Sequence, residues 1–304
     1  MMQSRIWAFL RLSRPAFLLG GVVGFALGAF VARYEDFRID PGLYVTGQVA
    51  VTSIQLTTQY LNEYWDFESD RLNTSRTFFT GGSGVIAKGE VSRKAAWRAA
   101  QVCSVLFSIV TIFLAIQFRI GLPVFVVLVA SYALGCMYSS PPLRIESTGF
   151  GELTASLVVA GLLPMFGFLL FAGQLDGLIL LVVAPLVAFH YAMLIAFDIP
   201  DIPSDLAGGK KTLLVRIGRD RGAAMHDALI LAGFVMAAAA AFDGLPGEVA
   251  WSFLFTAPLA AFQVFSVHRA NTSRESAFQW LTASAAALFA IATIIMAVGF
   301  WALG

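Results

Sequence analysis

Two short segments gather much of the acidity of the chain. One reads Asn62-Glu63-Tyr64-Trp65-Asp66-Phe67-Glu68-Ser69-Asp70 and the other Asp198-Ile199-Pro200-Asp201-Ile202-Pro203-Ser204-Asp205. Both carry the pattern acid-x-x-acid-x-x-x-acid, as Glu63/Asp66/Asp70 and Asp198/Asp201/Asp205. On a helix, offsets of three and seven set three side chains on one face. Six of the 19 acidic residues thus fall in two matched clusters. Carboxylates stacked this closely repel one another and call for a cation. Oxygen ligands without His or Cys favour Mg2+, which binds through one or two carboxylates plus waters and substrate phosphates. The plainer reading of one cluster is a solvated helix end neutralised by nearby Arg and Lys. Two clusters of identical spacing argue against it.

Glycines and bases follow each cluster. After Asp70 come Arg71, Arg76 and Gly81-Gly82-Ser83-Gly84, and after Asp205 come Gly208-Gly209-Lys210-Lys211-Thr212. Glycine lets backbone N–H groups converge on an anion, and Lys or Arg adds charge. Acids for a metal beside bases for phosphate read as a Mg2+–diphosphate site. A polar stripe leads away from the first cluster: Gln48, Thr52, Gln55, Gln59 and Asn62 follow helical 4-3-4-3 spacing. It reads either as interhelical hydrogen bonding or as a cavity wall descending from the site. His190, eight residues before Asp198 and on nearly the same face, reads as a packing residue or as part of that wall.

The elements that must position these residues are membrane spans. Of the 304 residues, 58% are apolar and 13% charged, about half the ~25% charge usual in soluble domains. Mean hydropathy is +0.78. A net charge of +1 gives no support to nucleic-acid binding, and two cysteines exclude a disulfide scaffold. Cys103 and Cys136 fall inside apolar runs and read as packing residues. Nine apolar stretches, at about 16–32, 43–61, 97–116, 122–138, 152–173, 177–197, 225–242, 249–267 and 278–302, have helical rather than barrel-like length. The expected fold is an all-α polytopic membrane bundle, one domain over 1–304, with no soluble domain appended. Cleavage of the first stretch as a signal peptide would leave eight spans on unchanged sides; an uncleaved first span is expected.

The bases orient these spans. If loops alternate sides, one side holds Arg5, Arg11, Arg14, Arg71, Arg76, Lys88, Arg93, Lys94, Arg98, Arg144, Lys210, Lys211, Arg216, Arg219, Arg221, Arg269 and Arg274. The other holds Arg33, Arg38 and Arg119. Seventeen against three places the N-terminus and both acidic clusters on the cytoplasmic side of the cell (inner) membrane.

The two acidic segments resemble those of the UbiA superfamily of membrane prenyltransferases. The first motif of that family, Asn-x-x-x-Asp-x-x-x-Asp, is matched by Asn62, Asp66 and Asp70, and the second, a multi-Asp segment, by Asp198, Asp201 and Asp205. The run Gly209-Lys210-Lys211-Thr212-Leu213-Leu214-Val215-Arg216-Ile217-Gly218 is similar to the dihydroxynaphthoate prenyltransferases of menaquinone synthesis, as are Gly149-Phe150-Gly151-Glu152-Leu153 and Gly81–Gly84. Phe197-Asp198 departs from the Asn-Asn usual in that subgroup, and Asp-Ile-Pro-Asp also occurs in homogentisate prenyltransferases.

The resemblance implies a bundle of about nine transmembrane helices around a central cavity. It implies Mg2+ held by Asp66, Asp70, Asp201 and Asp205, with Asp198, and Asn62 orienting the metal shell or the diphosphate. Tyr138 and Arg144 are candidates for the Tyr and the base that the family uses after the fourth span. Arg71, Arg76, Lys210 and Lys211 are candidate diphosphate contacts. The implied substrates are a polyprenyl diphosphate and a small aromatic acceptor, expected to be 1,4-dihydroxy-2-naphthoate, with Arg144 on its carboxylate. Homogentisate, 4-hydroxybenzoate and geranylgeranylglyceryl phosphate are the alternative acceptors. The bilayer is the one expected macromolecular surroundings, with no nucleic acid and no obligate protein partner. An allylic cation needs aromatic faces, and Tyr64, Trp65 and Tyr138 lie near the motifs in sequence. Pro200 and Pro203 predict a broken helix through the second motif. An ion-coupled transporter is the reading from another class, but transporter sites lie near the bilayer midplane, whereas these clusters lie at span ends beside long basic loops.

Overall fold

Each of the nine apolar stretches forms a helix in the computed structural model, which describes residues 2–269 and 275–304, with side chains for 6–269 and 276–304. Arg274, counted among the bases above, lies outside the described residues. The long helices are α2 (Pro15–Tyr34), α3 (Pro41–Trp65), α5 (Arg93–Gln117), α6 (Leu122–Ser139), α9 (Gly177–Ala207), α11 (Arg219–Phe242) and α14 (Glu275–Leu303). The span Gly151–Ala172 combines α7 (Gly151–Ser156) and α8 (Leu163–Ala172) through a π-helical turn, Leu157–Leu162. The span Gly247–Arg269 combines α12 (Gly247–Ser252) and α13 (Ala257–Arg269) through a 3-10 turn. Short helices α1 (Met2–Leu12), α4 (Phe67–Leu72) and α10 (Leu213–Ile217) lie at one end of the bundle. Among the described residues, eight helical segments are long and apolar enough to cross a membrane. The other, α3, has the length, at 25 residues, but Thr and Gln dilute it.

Local chemistry sets many of the boundaries. Asp40, Ser92 and Asp176 cap α3, α5 and α9 by accepting backbone N–H groups. Prolines open α2 and α3, where the first turn needs no donor. The outer surface is apolar: Ile116, Leu122, Phe242 and Phe255 are each at least 73% exposed, as lipid-facing side chains are. The largest core gathers Phe168, Phe253 and Phe300 with the α9 side chains, Phe189 among them. Glycine lets α2 and α8 touch: a Cβ on Gly28 would lie 1.9 Å from the Pro164 carbonyl oxygen.

Two expectations are corrected. The helix through the second motif is unbroken, since α9 runs to Ala207 with Pro200 and Pro203 inside it. Each proline removes one backbone donor, but α9 is buried along most of its length, and that packing holds the helix through both positions. The first motif, expected to be one continuous face, is the broken one. Helix α3 ends at Trp65 and α4 starts at Phe67, with Asp66 at the junction (φ −86°, ψ 0°).

Candidate active site

The ends of α3 and α9 open onto a cavity of about 320 Å³ whose lining includes Asn62, Asp66, Asp70, Asp198, Asp201, Asp205, Tyr138 and Lys210. Two clusters 128 residues apart become one site. Asn73, just after α4, donates to Asp201 Oδ1 at 2.8 Å and so ties the first motif to the second. Asn62 Nδ2 donates to Asp66 Oδ2 at 2.6 Å and to Ser139 Oγ at 2.9 Å. Thr212 donates to Asp205 Oδ2 at 3.2 Å. The stripe on α3 divides: Gln55, Gln59 and Asn62 line the cavity, while Gln48 donates to Thr52 on the same helix at 3.3 Å.

The predicted bases also divide. Lys210 reaches into the first motif, with Nζ 2.8 Å from Asp66 Oδ2, and Arg144 Nη2 lies 3.7 Å from Asp66 Oδ1. Arg76 lies behind the lining. It donates to the carbonyls of Gly81 at 2.6 Å and Asp70 at 2.7 Å, holding the glycine loop against α4. Arg71 pairs with Glu68 at the surface, and Lys211 is exposed. Glu63, grouped with the metal acids by its spacing, faces away and accepts from Ser83 N–H at 2.5 Å and Ser83 Oγ at 2.8 Å. Tyr64 and Trp65 pack instead with Trp97 on α5, and Arg93 lies 4.5 Å over the Tyr64 ring. Positions 55, 59, 62 and 66 claim the inward face of α3; 64 falls opposite them, and 65 lies on the flank, where the contact with Trp97 turns it to α5.

Phe17, Phe79 and Phe197 supply the aromatic wall with Tyr138. Phe79 stacks on Phe197 at 5.6 Å, and Phe17 meets Phe79 edge-on at 6.0 Å. Sequence reasoning also passed over Arg14, Asn73, Glu146 and Glu152 as site residues. Arg14 lines the cavity and donates to the Phe79 carbonyl at 2.6 Å. Glu146 and Glu152 are buried, and Glu152 accepts the Leu213 N–H at 3.0 Å, seating the loop after the second motif. Glu152 had one available signal, its place in the Gly149–Leu153 run.

Charge is out of balance. Asp66, Asp70, Glu146, Glu152, Asp198, Asp201 and Asp205 line the cavity against Arg14 and Lys210. Burial, then Asp66, pushes the Asp70 carboxyl up to about 8. The same two causes raise Glu146 well above the usual carboxyl range. Burial works against the Lys210 ammonium, yet Asp66 and Glu146 more than offset it and hold the charge. Asp66 Oδ1, Asp198 Oδ2 and Glu152 Oε2 are buried and accept no hydrogen bond. Among the described residues no three acids converge into a ready ligand set. Oxygen donors in excess, several unsatisfied, nonetheless fit a hard divalent cation.

The profile of the UbiA prenyltransferase family matches residues 21–291. The chain is 25% identical over 227 residues to a 1,4-dihydroxy-2-naphthoate octaprenyltransferase of Bacillus subtilis (strain 168), spanning 75% of this chain and 70% of that protein. It is 27% identical over 166 residues to a homogentisate phytyltransferase of Synechocystis sp., spanning 52% of this chain and 50% of that one. A solved structure of a UbiA homologue from Archaeoglobus fulgidus, bound to DMAPP and Mg2+, shares the fold, with a TM-score of 0.69 at 17% identity over 97% of this chain and 98% of that one. With a profile match that runs through both aspartate segments, on a helical bundle of the same fold, the chain belongs to the UbiA prenyltransferase family and is a membrane-embedded prenyltransferase.

Proposed function

We propose that the protein transfers a polyprenyl group from an allylic diphosphate to 1,4-dihydroxy-2-naphthoate, with Mg2+, at the cytoplasmic face of the membrane. The observation that carries the reading is the excess of carboxylates over cations at the mouth of a largely apolar cavity. Asp66, Asp70, Asp201 and Asp205, with Asp198, would hold Mg2+, and Asn62 steadies Asp66 through its hydrogen bond. Bound Mg2+ would supply Lewis-acid stabilisation of the charge that develops on the departing diphosphate. Arg14 and Lys210 add fixed positive charge at the same mouth. Phe17, Phe79, Phe197 and Tyr138 offer ring faces to the allylic cation, each contributing ~0.5–2 kcal/mol. Ile54, Leu134 and Leu163 give the prenyl chain an apolar wall, worth ~0.8 kcal/mol per buried CH₂. The Bacillus relative and the Gly209–Gly218 run support the naphthoate acceptor, and the seventeen-to-three division of bases supports the cytoplasmic face.

Incubation of purified protein with radiolabelled polyprenyl diphosphate, Mg2+ and four competing acceptors tests this. The acceptors are dihydroxynaphthoate, homogentisate, 4-hydroxybenzoate and geranylgeranylglyceryl phosphate. Preference for dihydroxynaphthoate is expected, and preference for another would replace the acceptor while leaving the transfer chemistry. Asp66→Asn and Asp201→Asn should nearly abolish turnover in folded protein. Asp176→Asn is the control, since Asp176 only caps α9 and Asn caps equally well. Full Mg2+-dependent activity in Asp66→Asn would refute the metal assignment.

A further inference from the structure

His190 stands on α9 two turns before Asp198, about 12 Å deeper along the helix axis, in the wall of the same cavity. It is 4% exposed, and its ring meets Phe289 edge-on at 4.7 Å. Its Nδ1 lies 3.0 Å from Ser156 Oγ. Ser156 has a single hydroxyl proton and donates it to the Glu152 carbonyl, one turn back, at 2.7 Å. Toward the imidazole the hydroxyl is therefore an acceptor, and the ring N–H is on Nδ1. A neutral imidazole then carries its lone pair on Nε2, which has no hydrogen-bond partner among the described residues. The π-helical turn begins at the residue after Ser156, and its Val158 and Val159 also line the cavity. Such turns occur often at functional sites. On α3, Gln59 repeats the pattern, lining the cavity with a buried Oε1 that accepts nothing.

A prenyl chain offers neither atom a donor, whereas a phenolic hydroxyl does. Resting on the aromatic-acceptor reading above, we propose that His190 binds the acceptor, with a ring hydroxyl donating to Nε2, and that it selects hydroxylated aromatics. The deeper part of the cavity beside the π turn is then the acceptor subsite, and Ser156 is a positioning residue that fixes the tautomer.

The test measures KM separately for the two substrates in full-length protein, with whichever phenol the wild type prenylates. His190→Phe keeps a ring and loses the acceptor atom, and should raise the KM for the phenol about tenfold with the KM for prenyl diphosphate unchanged. His190→Gln, which restores a hydrogen-bond acceptor, should recover most of that loss. Wild type should also prefer the phenol over its methyl ether, and His190→Phe should lose the preference. An unchanged phenol KM in His190→Phe, or an equal rise in both KM values, would overturn the proposal. If His190→Phe does not fold, Ser156→Ala carries the test, with a raised phenol KM supporting the proposal and an unchanged one overturning it. Failure of dihydroxynaphthoate as substrate would leave the His190 test intact, and a flat phenol KM would leave the transfer reaction intact.

Discussion

Lys210 Nζ lies 2.8 Å from Asp66 Oδ2 and 3.7 Å from Glu146 Oε2, with all three side chains at most 10% exposed. A base from the loop after the second motif thus neutralises the central acid of the first. That ammonium lies among the acids proposed above to hold Mg2+.

Replacing that ammonium should have two opposed effects. Lys210→Met leaves Asp66 and Glu146 buried without it, and removing one partner of a buried pair costs about 3–5 kcal/mol. The metal-free variant should unfold at a clearly lower temperature than wild type. Its uncompensated carboxylates should bind Mg2+ more tightly, while a polyprenyl diphosphate, having lost a cation, binds more weakly. Titration calorimetry reads both. Equal Mg2+ affinity in the two proteins would show that Lys210 and the metal do not compete.

Asp70 predicts a pH dependence. Its folded carboxyl is pushed up to about 8, by burial and then by Asp66, while in the unfolded chain it titrates near ~4. Between those limits the folded protein holds a proton that the unfolded chain has released. Stability without divalent cations should therefore fall as pH rises from about 4 to about 8. Asp70→Asn should be flatter over that window and more stable than wild type at its upper end. Thermal unfolding in chelator across the range checks it, and parallel curves for the two proteins would exclude the assignment.

Gly82 and Gly89 make a matched pair. Both have left-handed backbone, φ +67° and +71°, but a Cβ on Gly82 would lie 2.1 Å from Asp70 Oδ2, while nothing lies within 4 Å of one on Gly89. An alanine at either position carries ~1–2 kcal/mol of backbone strain. Only Gly82→Ala must also displace Asp70. It should reduce turnover on the order of a hundredfold, as small displacements of reacting geometry do, with Gly89→Ala near wild type below its unfolding temperature. Similar activity in both variants would remove Asp70 from the site.

Topology is checked by cysteine labelling in a Cys103→Ala/Cys136→Ala protein. Lys88 and Lys211 are exposed at the end of the bundle that carries the site, and Asp243 is exposed at the far end of α11. Cysteines at the first two positions should label from the cytoplasmic face and one at Asp243 from the opposite face. Labelling of Lys88→Cys and Lys211→Cys from different faces would contradict a single site.

Much of this architecture was legible in one dimension. The helices follow from apolar run length, because a chain in hydrocarbon must satisfy its backbone within each span. Asn62, Asp66, Asp70, Asp198, Asp201 and Asp205 stand out by their spacing, and all six line one cavity, although the first set is split between α3, its end and α4. Helical phase alone could not assign Glu63, whose spacing fits the motif but whose carboxylate holds Ser83. Glu63 lies on α3 one residue past Asn62, and the loop that carries Ser83 decides which way its carboxylate turns.

Contacts between distant segments were decided by the tertiary structure. Asn73 meets Asp201 across 128 residues of chain, and Glu146 enters the cavity from an isolated 3-10 turn (Ile145–Ser147). Tyr64 and Trp65 turn toward α5, and three phenylalanines from separate segments take the cavity wall. Periodicity reports which face of an element is apolar and carries no information about which neighbour covers it. A single acid in a short loop has no period at all, so its burial follows only from the packing that brings Lys210 and Arg144 to it.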